Sequence, residues 1–346
     1  MAHKLQDQLP WTQRPLIVNA PMAGYAGGAL AAAVSNSGGL GQIGAIVDMS
    51  ALDKELQLAQ SRLNNPSAGR GGTLAVGVGL LVGFLKPEQV LPVLIKYRPA
   101  VVWMFAAKDL SDYATWAAQL RSALPDTKVW IQVGSVTAAL AVAKDAGPDA
   151  LVLQGSDAGG HGFERGASIV SVLPEATDLL KSSGLGHIPL LASGGIADAR
   201  GAAAAVVLGA DGVVLGTRFL AAGETIIPDG YRDLVLSTSD GATNTARSKV
   251  FDNVAGPSIW PDAYDGRCLV TESYRDYRAG VAIEEVRDRH NKAVQGEDLG
   301  FGKTNRANVW AGTGIGLVRQ VDDASIIVNE IRNGITNELE KANAKL

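Results

Sequence analysis

Eight short aliphatic runs separated by longer alanine-rich stretches occupy the chain from Leu16 to about Leu220, and this alternation limits the possible folds more than any other feature. A run of four to eight Val, Ile and Leu residues reads as a buried parallel strand, and a stretch with apolar residues at period 3.6 reads as the helix that covers it. Strands are expected at Leu16–Ala20, Gly41–Ile43, Leu74–Val78, Val101–Phe105, Val129–Val133, Ala150–Gln154, Pro189–Ala192 and Gly212–Leu215. Helices are expected between them, at Gly28–Ser37, Leu52–Arg62, Pro87–Lys96, Tyr113–Ala123, Val136–Asp145, Ile169–Lys181 and Ala199–Leu208. Eight such units can close on themselves as a (β/α)8 TIM barrel. An open doubly wound sheet would carry a dinucleotide fingerprint directly after the first strand; here Gly27-Gly28 lies further on and Gly39-x-Gly41 precedes a strand, so that reading fails its context. The expected fold class is therefore α/β, a (β/α)8 barrel.

Beyond the eighth strand the pattern degrades. Residues 1–221 are expected to form the barrel core, and 222–306, with stretches such as PDGYRD and AGPSIWPDAYDGR, an insertion between strand eight and the last helix. Residues 307–346 contain the glycine turn AGTGIGLVRQ and an amphipathic helix that would complete the barrel. An insertion at that point emerges at the carboxy-terminal mouth, where barrel enzymes do their chemistry, and is expected to form a lid there.

Composition sets outer bounds. Hydrophobic residues make up 47% and charged ones 19% of the chain, enough apolar surface for a large core. A formal net charge of −4 with both signs dispersed offers no basic stripe, so a small-molecule partner is expected, with no nucleic acid and no membrane. The single Cys268 rules out an intramolecular disulfide and points to a reducing compartment, so a cytoplasmic home is expected. The amino terminus has no apolar h-region and no run approaches the ~20 apolar residues of a membrane span. The tail Ala344, Lys345, Leu346 reads either as a peroxisomal address or as an ordinary solvated helix end. Four scattered histidines with no His-x-His pair argue against a metal site.

Three features carry chemistry. Ser193-Gly194-Gly195 and Gly216-Thr217 end the last two strands, where glycine backbone and a short helix behind it form an anion cradle and barrels frequently bind phosphate. The segment ALVLQGSDAGGHG follows Gln154 with Ala158, Gly159, Gly160 and His161, placing a histidine on flexible backbone at the catalytic end. His161 there reads either as a proton acceptor, its ordinary pKa being about 6.5, or as a loop-ordering group. Ala20, Pro21 and Met22 make an irregular end to strand one, whose methionine either lies against a flat heterocycle or fills the barrel top. Gln132, on the otherwise apolar strand WIQV, needs a partner if buried, and a cofactor heteroatom would serve.

Taken together, NAPMAG, QGSDAGGHG, ASGGIADA and LGTRFL resemble the nitronate monooxygenases, formerly called 2-nitropropane dioxygenases, over about Leu16 to Glu224, with weaker agreement at WAGTGIGLV. The resemblance implies an FMN-dependent barrel in which His161 is the catalytic base. It implies phosphate contacts at Gly194, Gly195, Gly216 and Thr217, and flavin contacts at Ala20, Pro21, Met22, Gln154 and Gly159; Ser193, Ala158, Gly160, Gly79 and Gln132 are further candidates for binding the cofactor. Two positions depart from the family pattern: Gly79 stands where many bacterial members have asparagine, and Gln132 where several have lysine near the flavin pyrimidine. The implied reaction is oxidative denitrification of alkyl nitronates by dioxygen, giving a carbonyl compound and nitrite. An FMN-dependent NAD(P)H:quinone or enoyl-thioester reductase shares these motifs, with Arg165, Arg218 or Lys249 as candidates for holding a second nucleotide. A flavin-binding barrel without catalysis is the alternative of another class.

Overall fold

Alternation along each strand decides which residues face the barrel axis and which face the helices. The computed structural model describes residues 3–44 and 47–346. Val18, Val101, Trp103, Trp130, Val152, Leu191 and Val214 fill the barrel interior. Their neighbours Ile17, Val102, Ile131, Leu151, Ala192 and Val213 pack outward under the helices, because successive side chains point to opposite faces of a strand. Removing one such Leu, Ile or Val side chain from water contributes about 1.5–3 kcal/mol.

The barrel strands are β1 (Leu16–Asn19), β2 (Gln42–Gly44), β3 (Leu74–Leu81), β4 (Pro99–Phe105), β5 (Lys128–Val133), β6 (Ala150–Gln154), β8 (Leu190–Ser193) and β9 (Gly212–Leu215), with β7 (Gly160–Phe163) lying outside the barrel. They run parallel in the order β1-β9-β8-β6-β5-β4-β3-β2, with register pairs such as Ile17↔Val213 and Val152↔Leu191. Parallel bridges Val18↔Leu40 and Ala23↔Gly44 bring β2 back against β1 and close the ring. At this seam a side chain does the work of a ladder. The buried Asn19 amide donates to the Gln42 carbonyl at 2.9 Å and accepts from the Gln42 N–H at 2.9 Å.

Every strand expected from the sequence is present, three of them longer than the pattern indicated: β3 runs on to Leu81, β4 starts at Pro99 and β5 at Lys128. The helix at His3–Gln8 had no counterpart in the sequence reading. Its Leu5, with Leu9 just beyond it, packs into the interior cluster beside Leu16 and Leu40. The helix Ala324–Asn343 lies against helices Ala199–Val207 and Gly28–Asn36, the place of an eighth barrel helix.

The stretch 222–306 is more ordered than its composition suggested. It contains helices Asp229–Ser237, Glu272–Arg278 and Ile283–Val294 and strands β10 (Thr245–Ser248) and β11 (Tyr264–Leu269). β11 pairs antiparallel with β10 on one side and with β7 on the other, so this stretch is hydrogen-bonded to the loop after β6. Burial overrides local composition here: Phe251, Val254, Cys268 and Val286 form a small core of their own.

Candidate active site

The carboxy-terminal ends of β1, β3, β5, β6, β8 and β9 surround one cavity of about 320 Å³, within the size class of small-molecule and cofactor clefts. The fifteen residues expected for the base and the flavin all line it: Ala20, Pro21, Met22, Gly79, Gln132, Gln154, Ala158, Gly159, Gly160, His161, Ser193, Gly194, Gly195, Gly216 and Thr217. They come from seven separate stretches of chain, and only barrel closure gathers them.

The two late turns present backbone rather than side chain. Gly194 and Gly195 have φ of +102° and +75°, values that favour glycine. A Cβ on Gly194 would stand 2.7 Å from the Gly155 carbonyl oxygen. Gly216 leads directly into the short helix Thr217–Leu220. The segment 310–314 closes over these turns: Gly312 N–H donates to the Thr217 hydroxyl at 3.0 Å and Thr313 N–H to the Asp157 carbonyl at 3.0 Å. Gly312 and Gly314 thereby join the cavity wall, as does Trp310. The sequence did show the glycine turn AGTGIG, but nothing in it says that the turn reaches a wall built by β8 and β9.

The two departures from the family pattern have local structural reasons. A Cβ at Gly79 would fall 2.3 Å from Cβ of Pro21, so Pro21 fills the space a side chain there would need. Gln132 finds its partner in the protein: Trp103 Nε1–H donates to its Oε1 at 3.1 Å. Indole nitrogen only donates, so the amide orientation is fixed and its –NH₂ end is left as the group available to a ligand. Gln154 is likewise committed, its Nε2 donating to the His161 carbonyl at 3.1 Å and holding β7 against the end of β6.

His161 is placed differently from the sequence expectation. It sits on β7, opposite Gly266 of β11, and not on flexible backbone. Its Nε2 lies 2.8 Å from Oδ1 of Asp252, and both side chains are largely buried, at 15% and 9% exposure. The imidazole stacks on Trp260 with ring centroids 3.6 Å apart and planes 8° from parallel, and Trp310 leans against it at 4.7 Å. Phe84 and Phe105 pack on the same Trp260. Tyr25 and Tyr231 also line the cavity, edge to face at 5.2 Å. Burial pushes both phenols upward, so they stay protonated, and Tyr231 donates to the Trp310 carbonyl at 3.1 Å. Asp252, Trp260 and Trp310 were missed by the sequence reading. They lie about 90 to 150 residues after His161 in stretches such as IWPDAY and ANVWAG, whose aromatics were the one visible signal.

None of the three basic residues considered for a second nucleotide lines the cavity. Arg218 is buried and paired with Asp322. Lys249 donates to the Asp262 carbonyl at 2.9 Å and lies 3.8 Å from Glu164, and Arg165 is exposed. Among the described residues no group of three or more His, Cys, Asp or Glu is gathered that could hold a metal ion, and no helix is long and apolar enough to cross a membrane.

The family profile described as nitronate monooxygenase matches residues 88–334. The nitronate monooxygenase of Metarhizium robertsii is 42% identical over 335 residues, covering 95% of this chain and 93% of that protein. A nitronate monooxygenase of Neurospora crassa is 37% identical over 362 residues, covering 99% and 94%. Among solved structures, FabK from Thermotoga maritima superposes with a TM-score of 0.76 at 24% identity, covering 99% of each chain, which shows the shared barrel fold.

Proposed function

Because this chain belongs to the nitronate monooxygenase family, we propose that it is an oxidoreductase that denitrifies alkyl nitronates with dioxygen, using FMN held in the cavity at the barrel mouth. The observation that carries this reading is the convergence on one cavity of a glycine-backbone cradle, a neutral amide donor and a histidine.

The residues present suit FMN. The side-chain-free backbone of Gly194, Gly195 and Gly216, with the Thr217 helix start behind it, suits a phosphate at the position barrels commonly use. Met22 and the Ala20-Pro21 segment offer apolar surface for a flat ring system, and the free –NH₂ of Gln132 offers a donor to one of its heteroatoms. When bound, FMN would take electrons from the nitronate and pass them to dioxygen, leaving a carbonyl compound and nitrite. Gln132 is neutral, so it meets negative charge with a hydrogen bond and not with a full positive charge.

His161 acts on the substrate. It takes the proton from the carbon α to a neutral nitro group, or orients a nitronate that is already ionised. Trp260, Trp310, Phe105 and Leu81 make that end of the cavity apolar, which excludes water and favours a substrate with an aliphatic body. We read residues 222–306 as the lid over the mouth, a reading supported by Tyr231 and Trp260, which that stretch contributes to the cavity wall.

The test is an anaerobic titration of the purified protein, following its flavin absorbance. Propionate 3-nitronate is expected to bleach it while NADH and NADPH do not; bleaching by the nicotinamides and not by the nitronate would move the function to a reductase. His161→Asn is expected to suppress turnover of neutral nitroalkanes more than that of nitronates, and equal loss on both would contradict a base.

A further inference from the structure

We propose that Asp252 is a positioning residue that fixes the tautomer of His161, making Nδ1 the atom that accepts the substrate proton. The proposal rests on the reading of His161 as the base and adds to it a partner and an atom.

A neutral imidazole has one N–H and one lone pair, and a hydrogen bond at one nitrogen decides which role the other plays. Oδ1 of Asp252 is 2.8 Å from Nε2 of His161. An ionised carboxylate only accepts, so the proton between them belongs to Nε2. No hydrogen bond engages Nδ1 within the described residues, while the ring lines the cavity, which leaves the Nδ1 lone pair for the substrate. The demand is strong from the carboxylate's side as well. Asp252 is largely buried and its Oδ2 has no hydrogen-bond partner, so among the described residues His161 is the one side chain that bonds to its carboxylate. The nearby Cys268 adds no second negative charge beside Asp252: burial pushes its thiol up so that it stays neutral, and its sulfur accepts from Val309 N–H at 3.0 Å.

The rest of the pocket holds the ring in the same pose. Stacking on Trp260 at 3.6 Å prevents rotation out of plane, and β7 is pinned by pairing to β11 and by the Gln154 amide on the His161 carbonyl. An indole face next to a ring that gains positive charge is favourable too. In the step itself the C–H bond α to the nitro group breaks, its electron pair remains on the substrate as the nitronate, and the proton forms Nδ1–H. The imidazolium so created keeps its Nε2–H on Asp252, which stabilises the new charge, as a buried aspartate does for the histidine of a hydrolase triad.

The experiment uses the intact flavoprotein, labelled with ¹⁵N-histidine and observed at mildly alkaline pH, with the His161 signals assigned by their loss in His161→Asn. Long-range ¹H–¹⁵N correlations are expected to show Nε2 protonated and Nδ1 bare. A protonated Nδ1, alone or together with Nε2, would overturn the proposal, and this readout needs neither turnover nor a variant at Asp252. Asp252→Ala is then expected to lower kcat on a neutral nitroalkane by roughly tenfold or more with KM and flavin content unchanged, while turnover of the preformed nitronate changes little. Equal losses on both substrates, or none on either, would refute the positioning role. If the wild-type protein turns over neither nitroalkanes nor nitronates while the Nε2–H tautomer is seen, the functional reading fails and the assignment of the pair stands; turnover of nitronates alone would overturn Nδ1 as the proton acceptor.

Discussion

Gly194→Ala probes the cradle at its tightest point. The φ of +102° at Gly194 is a backbone state that costs a residue with a Cβ about 1–3 kcal/mol. The new methyl would also meet the Gly155 carbonyl oxygen at 2.7 Å and the Ala158 backbone N at 3.1 Å. That carbonyl cannot move freely, because the same residue's N–H is bonded to the Ser193 carbonyl at 2.8 Å. Gly184 calibrates the backbone part alone: its φ is +76° with nothing within 4 Å of a built Cβ, so alanine there is expected to cost about 1–2 kcal/mol. Adding contact to strain, Gly194→Ala is expected to cost about 2–4 kcal/mol. The turn can relieve the clash only by moving, and a loss of about 1.4–2.8 kcal/mol in phosphate binding corresponds to roughly 10- to 100-fold weaker FMN. Urea unfolding of the flavin-free proteins measures the first quantity, and quenching of FMN fluorescence on rebinding measures the second. FMN affinity within twofold of wild type in Gly194→Ala, or a stability no lower than that of Gly184→Ala, would refute the reasoning.

Two further outcomes follow from other parts of the molecule. Arg218 and Asp322 are a buried pair, so Asp322→Leu alone is expected to cost about 3–5 kcal/mol and Arg218→Met with Asp322→Leu much less; a double variant no better than the single would show that the two act independently. His290 is buried with Nδ1 donating to the Arg306 carbonyl at 2.9 Å, and burial, with the nearby Arg306 charge, holds its pKa below the ordinary 6.5. Folding therefore favours the neutral ring: this contribution is complete above about 6.5 and is lost as pH falls from there toward the lower folded value. His290→Gln is expected to flatten the fall in urea midpoint between pH 7.5 and 5.5, and an unchanged slope would assign that fall to other groups.

The strands were readable because a strand buried on both faces is a near-continuous aliphatic run, and eight such runs spaced by helical pattern leave few ways to pack. The glycine turns were readable as well, since Gly194 and Gly195 fill positions where a side chain would be strained. His161 was visible as a residue type in a turn-rich segment, but its surroundings were not. β7 became a strand only because β11, about a hundred residues later, supplied a partner for it. Asp252, Trp260 and Trp310 meet His161 through that pairing, and no local pattern in the stretch around them encodes it. Short-range propensity and periodicity thus determined the barrel and the places where a phosphate suits it. Which nitrogen of His161 meets a carboxylate, how Gln132 turns its amide and why position 79 is glycine were decided by contacts between stretches of chain far apart in sequence, which exist only once the barrel has closed.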